Sequence, residues 1–441
     1  MLQLLFFSLL MLTFVNLFIS NMDYFNPGVV FNFMFTLFSM MCCIVDAIVG
    51  LELDNLLTVF IILMGSVCFT FINMISKRTS KKAQIDSAMS TIYLRKSYVY
   101  IAIAVEILVV LVMYKYVCDF ANIYGVNGTF SEKLSFYDTI TKFNTDYKLR
   151  MPSYVSVGNL VGRALCYIAL YIFINNYVLI KKIDIKMLLV VIIYLVGSLM
   201  GGRTEALRII TAALILWYYF FKRKNGWGKD GMKIAIRVGI IAIAIVIGFS
   251  LIRGILGRTT YDPVKVVFGY LGAPLKNFDS FISNPQRSIN GIWGAMTFTK
   301  FINWIGLKFG ISNWVYVSDQ PFLYFKDFRM GNVYTTYYNF YYDFGVLGCF
   351  VLISIIAIYY CRIYNKLKCQ QHNNKIIDFR LLLYAYLFND LIMLPFSSRF
   401  YETIVNINFI RLTIILYGLI FIINNLTLKN NRIYIRRRRA M

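Results

Sequence analysis

The chain has 441 residues, of which 59% are hydrophobic and 15% charged, well below the roughly 25% charged of an average soluble domain. A water-soluble fold of this size cannot hide that much apolar surface, so the composition excludes a soluble globular protein and points to a polytopic membrane protein. The formal net charge of +24 would suggest nucleic acid in a soluble chain. Here Lys and Arg fall in short stretches between apolar segments, so the charge reads as the positive-inside pattern, with no nucleic-acid partner.

A bilayer core needs about 20 apolar residues per helix. Eleven segments are expected to span: 2–20, 28–50, 56–76, 97–117, 155–180, 187–201, 205–221, 236–253, 336–360, 380–396 and 403–425. The first has no basic region before it and no convincing small-residue cleavage site, so it is expected to be a retained helix. The basic stretches 77–96, 181–186, 222–237 and 362–380 and the tail alternate correctly if all are cytoplasmic, which puts the N-terminus outside. The fold class predicted is therefore all-α, a single integral membrane domain over 1–441. An outer loop is expected at 118–154 and a larger one at 254–335, with a basic cytoplasmic tail at 426–441, where Arg436 to Arg439 would meet anionic headgroups.

The larger outer loop repeats aromatic and aliphatic residues at helical spacing with lysines between, as in YDPVKVVFGYLGAPLKNFDSFI and AMTFTKFINWIGLKF. Such segments are expected to lie in the membrane interface, either guiding a lipid-linked substrate or simply covering the bundle.

Eight cysteines lie scattered, several of them in apolar segments, and the single histidine, His372, sits in a polar loop. The pattern offers no metal site and no cofactor. Glu52 and Asp54, two apart in an outer connection, are acids of the sort that hold a divalent ion, but such spacing arises readily by chance.

Ionisable residues inside spans are costly and face a partner or a wet cavity. Arg163 lies about two turns into the fifth span. Asp343 and Asp390 fall at outer ends of spans, Arg411 about two turns inside the last one, and Glu106 nearer mid-membrane. Asp46 falls near the outer end of the second span, and Arg237 and Arg253 bracket the eighth. Arg203, Arg208, Arg253, Arg258 and Arg399 all fall at the outer face, against the positive-inside trend. Arginine suits phosphate, because its planar fork donates two parallel charge-assisted hydrogen bonds and never deprotonates. The stretch GSLMGGRTEALR (197–208) is thus expected to hold a lipid diphosphate through Arg203 and Arg208, with Gly201 and Gly202 letting backbone approach. Glu205 and Arg208, three apart at a helix start, also have the spacing of a simple ion pair.

Three stretches, GSLMGGRTEAL (197–207), NVYTTYYNFYYDFGVLG (332–348) and SSRFYE (397–402), together with the overall plan, resemble the Wzy-type O-antigen and capsular repeat-unit polymerases. The resemblance implies a GT-C-like bacterial cytoplasmic-membrane glycosyltransferase. Its substrates would be oligosaccharide repeat units on undecaprenyl diphosphate at the outer face, and it would move the growing glycan onto a new lipid-linked unit. The donor carries its own leaving group, so neither nucleotide sugar nor metal is implied. Partners implied are the lipid-linked glycan, membrane lipids and a chain-length regulator. Carried onto these residues, Arg203 binds the donor diphosphate with Arg399 or Arg253 assisting, and Arg163, Arg208 and Arg411 complete the cationic set. Asp343 and Glu402 are the candidate bases; Asp343 is equally placed to act as a cap or as a partner for Arg163 or Arg411. An O-antigen ligase and a lipid-linked oligosaccharide flippase are the competing readings. The ligase family usually has a histidine in the outer loop, whereas His372 falls on the cytoplasmic side.

Overall fold

A computed structural model describes residues 1–79, 83, 89–143, 151–201, 204–227, 263–287, 289, 291–318, 320–325, 328–370, 377–429 and 432–435. In chain order the helices are α1 (Leu2–Ile19), α2 (Pro27–Val49), α3 (Leu56–Arg78), α4 (Lys96–Ile123), α5 (Phe130–Phe143), α6 (Ser153–Ile180), α7 (Ile185–Ser198) and α8 (Thr204–Asn225). They continue with α9 (Pro263–Ser283), α10 (Thr299–Phe309), α11 (Thr336–Lys368), α12 (Phe379–Ile392), α13 (Phe400–Ile404) and α14 (Ile407–Asn425). Two antiparallel hairpins complete the list, β1 (Leu323–Phe325) with β2 (Phe328–Gly331) and β3 (Leu426–Lys429) with β4 (Arg432–Ile435).

Among the described residues, eight helices are long and apolar enough to cross a membrane: α1, α2, α3, α4, α6, α8, α11 and α14. The chain is a helical, multi-pass membrane protein on that measure. The expected spans at 187–201 and 380–396 appear as α7 and α12, each of 14 residues. At 1.5 Å per residue that is about 21 Å, short of a hydrocarbon core of about 30 Å. The expected span at 236–253 lies outside the described residues.

The contacts divide the chain into two compact units, Met1–Ala83 with Trp227–Cys369 and Asp390–Asn406, and Gln84–Gly226 with Gln370–Asn389 and Ile407–Met441. In the first unit α1, α2 and α3 are joined by buried amides and hydroxyls. Asn16 Nδ2 donates to Thr70 Oγ1 at 2.7 Å, Asn73 Nδ2 to Asn16 Oδ1 at 2.9 Å, and Thr13 and Thr36 share a hydrogen at 3.1 Å. In an apolar bundle such bonds supply the specificity that greasy surfaces lack, since lipid competes with any Leu. One end of this unit is tied by charge. Lys368 Nζ on α11 reaches Asp23 at 2.6 Å, Tyr364 donates to the same carboxylate, and Lys77 of α3 donates to Ile19 O and Asn21.

The other end of the first unit is closed by α9. This helix buries Ala273, Leu275, Lys276, Asn277, Phe278 and Asp279. Asp279 accepts hydrogen bonds from Asp54 N (2.8 Å), Asn55 N (3.1 Å), Thr58 Oγ1 (2.7 Å) and Lys276 Nζ (3.3 Å). Lys276 also reaches Asp54 Oδ2 at 2.5 Å. Thus α9, inside the segment expected to lie in the interface, is a packed helix stapled to the α2–α3 connection.

In the second unit α6 is the centre, with α4, α7, α8 and α14 against it. Its C-terminal half is anchored by amides: Asn176 pairs with Ile92 main chain at 2.8 Å in both directions, and Asn175 donates to Ser90 O. Above the short α7, a 3-10 turn (Leu199–Gly201) leads towards α8. Met200 in that turn packs with Met113, Val117 and Phe120 of α4, Tyr137 of α5 and Val155 of α6. The helix α5, in the middle of the expected outer loop 118–154, therefore packs against α4 and the Leu199–Gly201 turn.

Candidate functional site

The charged group in the second unit follows from that short α7. Arg163 is ten residues into α6, about 15 Å from the helix start. Glu205, in the first turn of α8, meets it, so the α7–α8 connection turns back well below the start of α6 rather than beyond it. An acid is favoured at that helix terminus by the macrodipole.

Arg163 Nε lies 3.0 Å from Glu205 Oε1 and 3.0 Å from the Tyr194 hydroxyl of α7. The single Nε hydrogen is directed at Tyr194; Glu205 Oε1 has no hydrogen-bond partner among the described residues. The contact with Glu205 is thus charge pairing without a directed bond. The two terminal nitrogens of Arg163 form no hydrogen bond among the described residues. Its side chain as a whole keeps 23% of its surface exposed.

Arg208, one turn along α8 and on the same face as Glu205, has Nε 3.9 Å from Glu205 Oε2. Its guanidinium stacks over the Tyr386 ring at 4.7 Å and donates to Tyr386 O at 3.4 Å. One carboxylate therefore stands between two guanidinium groups, a net positive cluster inside apolar helices. Guanidinium groups suit anions, because each planar fork donates parallel charge-assisted hydrogen bonds.

The first unit gathers a different set. Near its start α11 kinks at Gly345, whose φ of 65° and ψ of −160° lie outside the range open to other residues. Just before the kink, Asp343 accepts Met296 N at 3.1 Å and Thr297 N at 2.6 Å. One turn earlier, Asn339 Nδ2 donates to Met296 O at 2.7 Å, and Thr297 Oγ1 donates back to Asn339 O. Asp343 and Asn339 together hold the 294–298 turn against α11. Burial, with Asp343 nearby, pushes the Tyr316 hydroxyl above its ordinary range, and that hydroxyl donates to Ala295 O at 2.9 Å in the same turn.

Next to this turn stands α13. Tyr401 meets Phe298 and Phe340 at ring separations of 5.8 and 5.6 Å and donates to Leu352 O. The neighbouring Glu402 pairs with Lys300 of α10 at 3.4 Å, with 28% and 53% of the side chains exposed. Arg399 Nε donates to Ser397 Oγ at 2.9 Å.

Of the sequence-predicted residues, Arg163 and Arg208 both flank Glu205 in the second unit, while Asp343, Glu402 and Arg399 lie in the first, each with a different partner. Arg411 is exposed one turn into α14, a place from which a long side chain can reach headgroups. Arg203 and Arg253 lie outside the described residues, as do Gly202, Arg237, Arg258, His372 and Arg436 to Arg439. Asp54, considered as a metal ligand with Glu52, is engaged by Lys276. Sequence reasoning missed Tyr194 and Tyr386, the two aromatic partners of the arginines, because nothing distinguishes them among 33 tyrosines.

The helices define a multi-pass helical membrane protein, with Arg163, Glu205 and Arg208 grouped among them. No family model, no curated protein and no solved structure matches the chain.

Proposed function

We propose that this chain is a GT-C-like polymerase of eleven spans in a bacterial cytoplasmic membrane. Its substrates are oligosaccharide repeat units carried on undecaprenyl diphosphate, which it joins at the outer face, with the C-terminus cytoplasmic. The observation that supports this reading best is Arg163. It is a guanidinium fixed at Nε by Tyr194 and Glu205, with its terminal nitrogens unengaged among the described residues, beside a second guanidinium on Arg208.

In the reaction the bond between the anomeric carbon of the growing glycan and the lipid diphosphate oxygen breaks. The acceptor hydroxyl oxygen of the incoming unit bonds to that carbon, and its proton passes to a carboxylate. The diphosphate leaves with the bonding electrons. Arginines set in a low-dielectric site stabilise that leaving charge without reorganising. Arg163 and Arg208 take this role, with Arg203, Arg253, Arg399 and Arg411 as further cationic candidates. Glu402 is favoured over Asp343 as base, because both Asp343 oxygens already hold main-chain N–H groups.

The test is deletion of the gene, with surface polysaccharide run on a gel, followed by complementation at equal membrane abundance. Wild type should restore a ladder; Arg163→Ala and Arg203→Ala should leave single repeat units on their usual acceptor. Loss of all glycan from the final acceptor with long lipid-linked chains accumulating would instead assign a ligase. Single units trapped at the inner face would assign a transporter.

A further inference from the structure

Glu106 has no part in that reaction, yet it stands beside the cluster. It lies on α4, ten residues after Lys96, with 0% of its surface exposed. Neither of its oxygens has a hydrogen-bond partner among the described residues. It faces Gly162 of α6 so closely that a Cβ there would stand 2.8 Å from Oε2. The same Cβ would be 3.4 Å from the Tyr194 ring, whose hydroxyl holds Arg163. The titratable groups that face it are Cys166 on α6 and, across Gly162, Tyr194 on α7, and both of these in turn neighbour Arg163 and Glu205. Cys166 is within electrostatic range of Glu106, Glu205 and Arg163 alike. The helix α5 and the Leu199–Gly201 turn meet α4 two turns further on, through Tyr137 and apolar side chains.

A buried carboxylate with no donor is untenable as an anion, since its desolvation would go uncompensated. The arrangement described is that of the neutral acid. Stripped of its proton, Glu106 needs a cation, and Arg163, next in sequence to the glycine it touches, has uncommitted nitrogens. We propose that Glu106 is a proton-binding site coupled to anion binding at Arg163. With the proton on, Arg163 keeps its fork for a phosphate group; with the proton off, the carboxylate turns to Arg163 and takes that fork. An arriving anion displaces the carboxylate, which takes one proton from water. This rests on the reading of Arg163 as an anion ligand.

The test uses the full chain in lipid nanodiscs, with farnesyl diphosphate as probe. Titration calorimetry over a pH series, in buffers of different ionisation enthalpy, gives affinity and proton uptake together. Wild type should bind with proton uptake, its affinity falling about tenfold per pH unit on the alkaline side of the titration, as linkage requires for one proton. Glu106→Gln should hold the low-pH affinity across the series and lose that uptake. The probe's own protonation is common to both proteins and cancels in the difference. A Glu106→Gln protein with the wild-type slope would overturn the coupling while leaving the anion site intact. Should Glu106→Gln not fold, Glu205→Gln decides: uptake that persists supports Glu106, and uptake that vanishes assigns the proton to Glu205. Absence of binding by wild type at any pH, indistinguishable from Arg163→Ala, would overturn the anion site and the coupling with it.

Discussion

Each unit buries an acid among cations and hydroxyls, Asp279 with Lys276 and Thr58 in the first and Glu205 with Arg163 and Arg208 in the second, and the two groups end differently. Around Asp279 every oxygen is used: two main-chain N–H groups, a threonine hydroxyl and a lysine converge on it, and that lysine is shared with Asp54. Around Glu205 the bonding is incomplete. Its Oε1 has no directed hydrogen bond, and Arg163 leaves its terminal nitrogens uncommitted among the described residues. Burial of charge is costly in both places. The first group recovers that cost internally and so staples α9 to the α2–α3 connection. The second leaves donors unused among the described residues, which is why it, and not the better-bonded one, is the candidate site.

The largest effect should come from Asp279→Ala. It strips four donors of their acceptor and leaves Lys276 with only Asp54, so the first unit should lose about 3–5 kcal/mol. Thermal unfolding in detergent checks this, and an unchanged midpoint would break the contrast. Arg163→Ala should do the reverse, with a small change in unfolding and a fall in glycan transfer of about 100- to 1,000-fold, the usual effect of removing one transition-state donor. Arg163→Lys should restore little, since an ammonium has no fork. Equal losses of stability and transfer in Arg163→Ala would mean that the cluster is a staple like the other.

A smaller effect is expected at Asp343. Asp343→Ala frees the N–H groups of Met296 and Thr297 and should cost about 1–3 kcal/mol, with transfer falling in proportion to folded protein. Transfer lost at full stability would return Asp343 to the role of base. The smallest stability change belongs to Glu402→Gln, because an exposed pair such as Glu402 with Lys300 contributes at most about 1 kcal/mol. Here transfer should collapse while the unfolding midpoint stays within error. A fully active Glu402→Gln would remove the remaining candidate base.

Much of this architecture was legible in the chain. Apolar runs of sufficient length mark the eight long helices, because the bilayer fixes the length an apolar segment must have. The unusual residues were also visible as such: Arg163, Glu205, Arg208 and Glu106 are costly to place among apolar neighbours wherever the helices lie. Their partnership was not visible. Which side chains meet depends on how far each helix is rotated and raised against its neighbour, and periodicity along one helix carries no information about either. The sequence placed a short connection between spans 187–201 and 205–221, with Glu205 and Arg208 at a helix start; only the fold shows that Glu205 meets Arg163, some ten residues into α6. Likewise Asp343 stood out as an acid at a span entrance, but only the fold of the 294–298 turn decided that both its oxygens are occupied. Composition alone determined that this protein lives in a membrane and carries charge there. Tertiary packing alone decided which of those charges meet partners within the described residues and which keep groups uncommitted there.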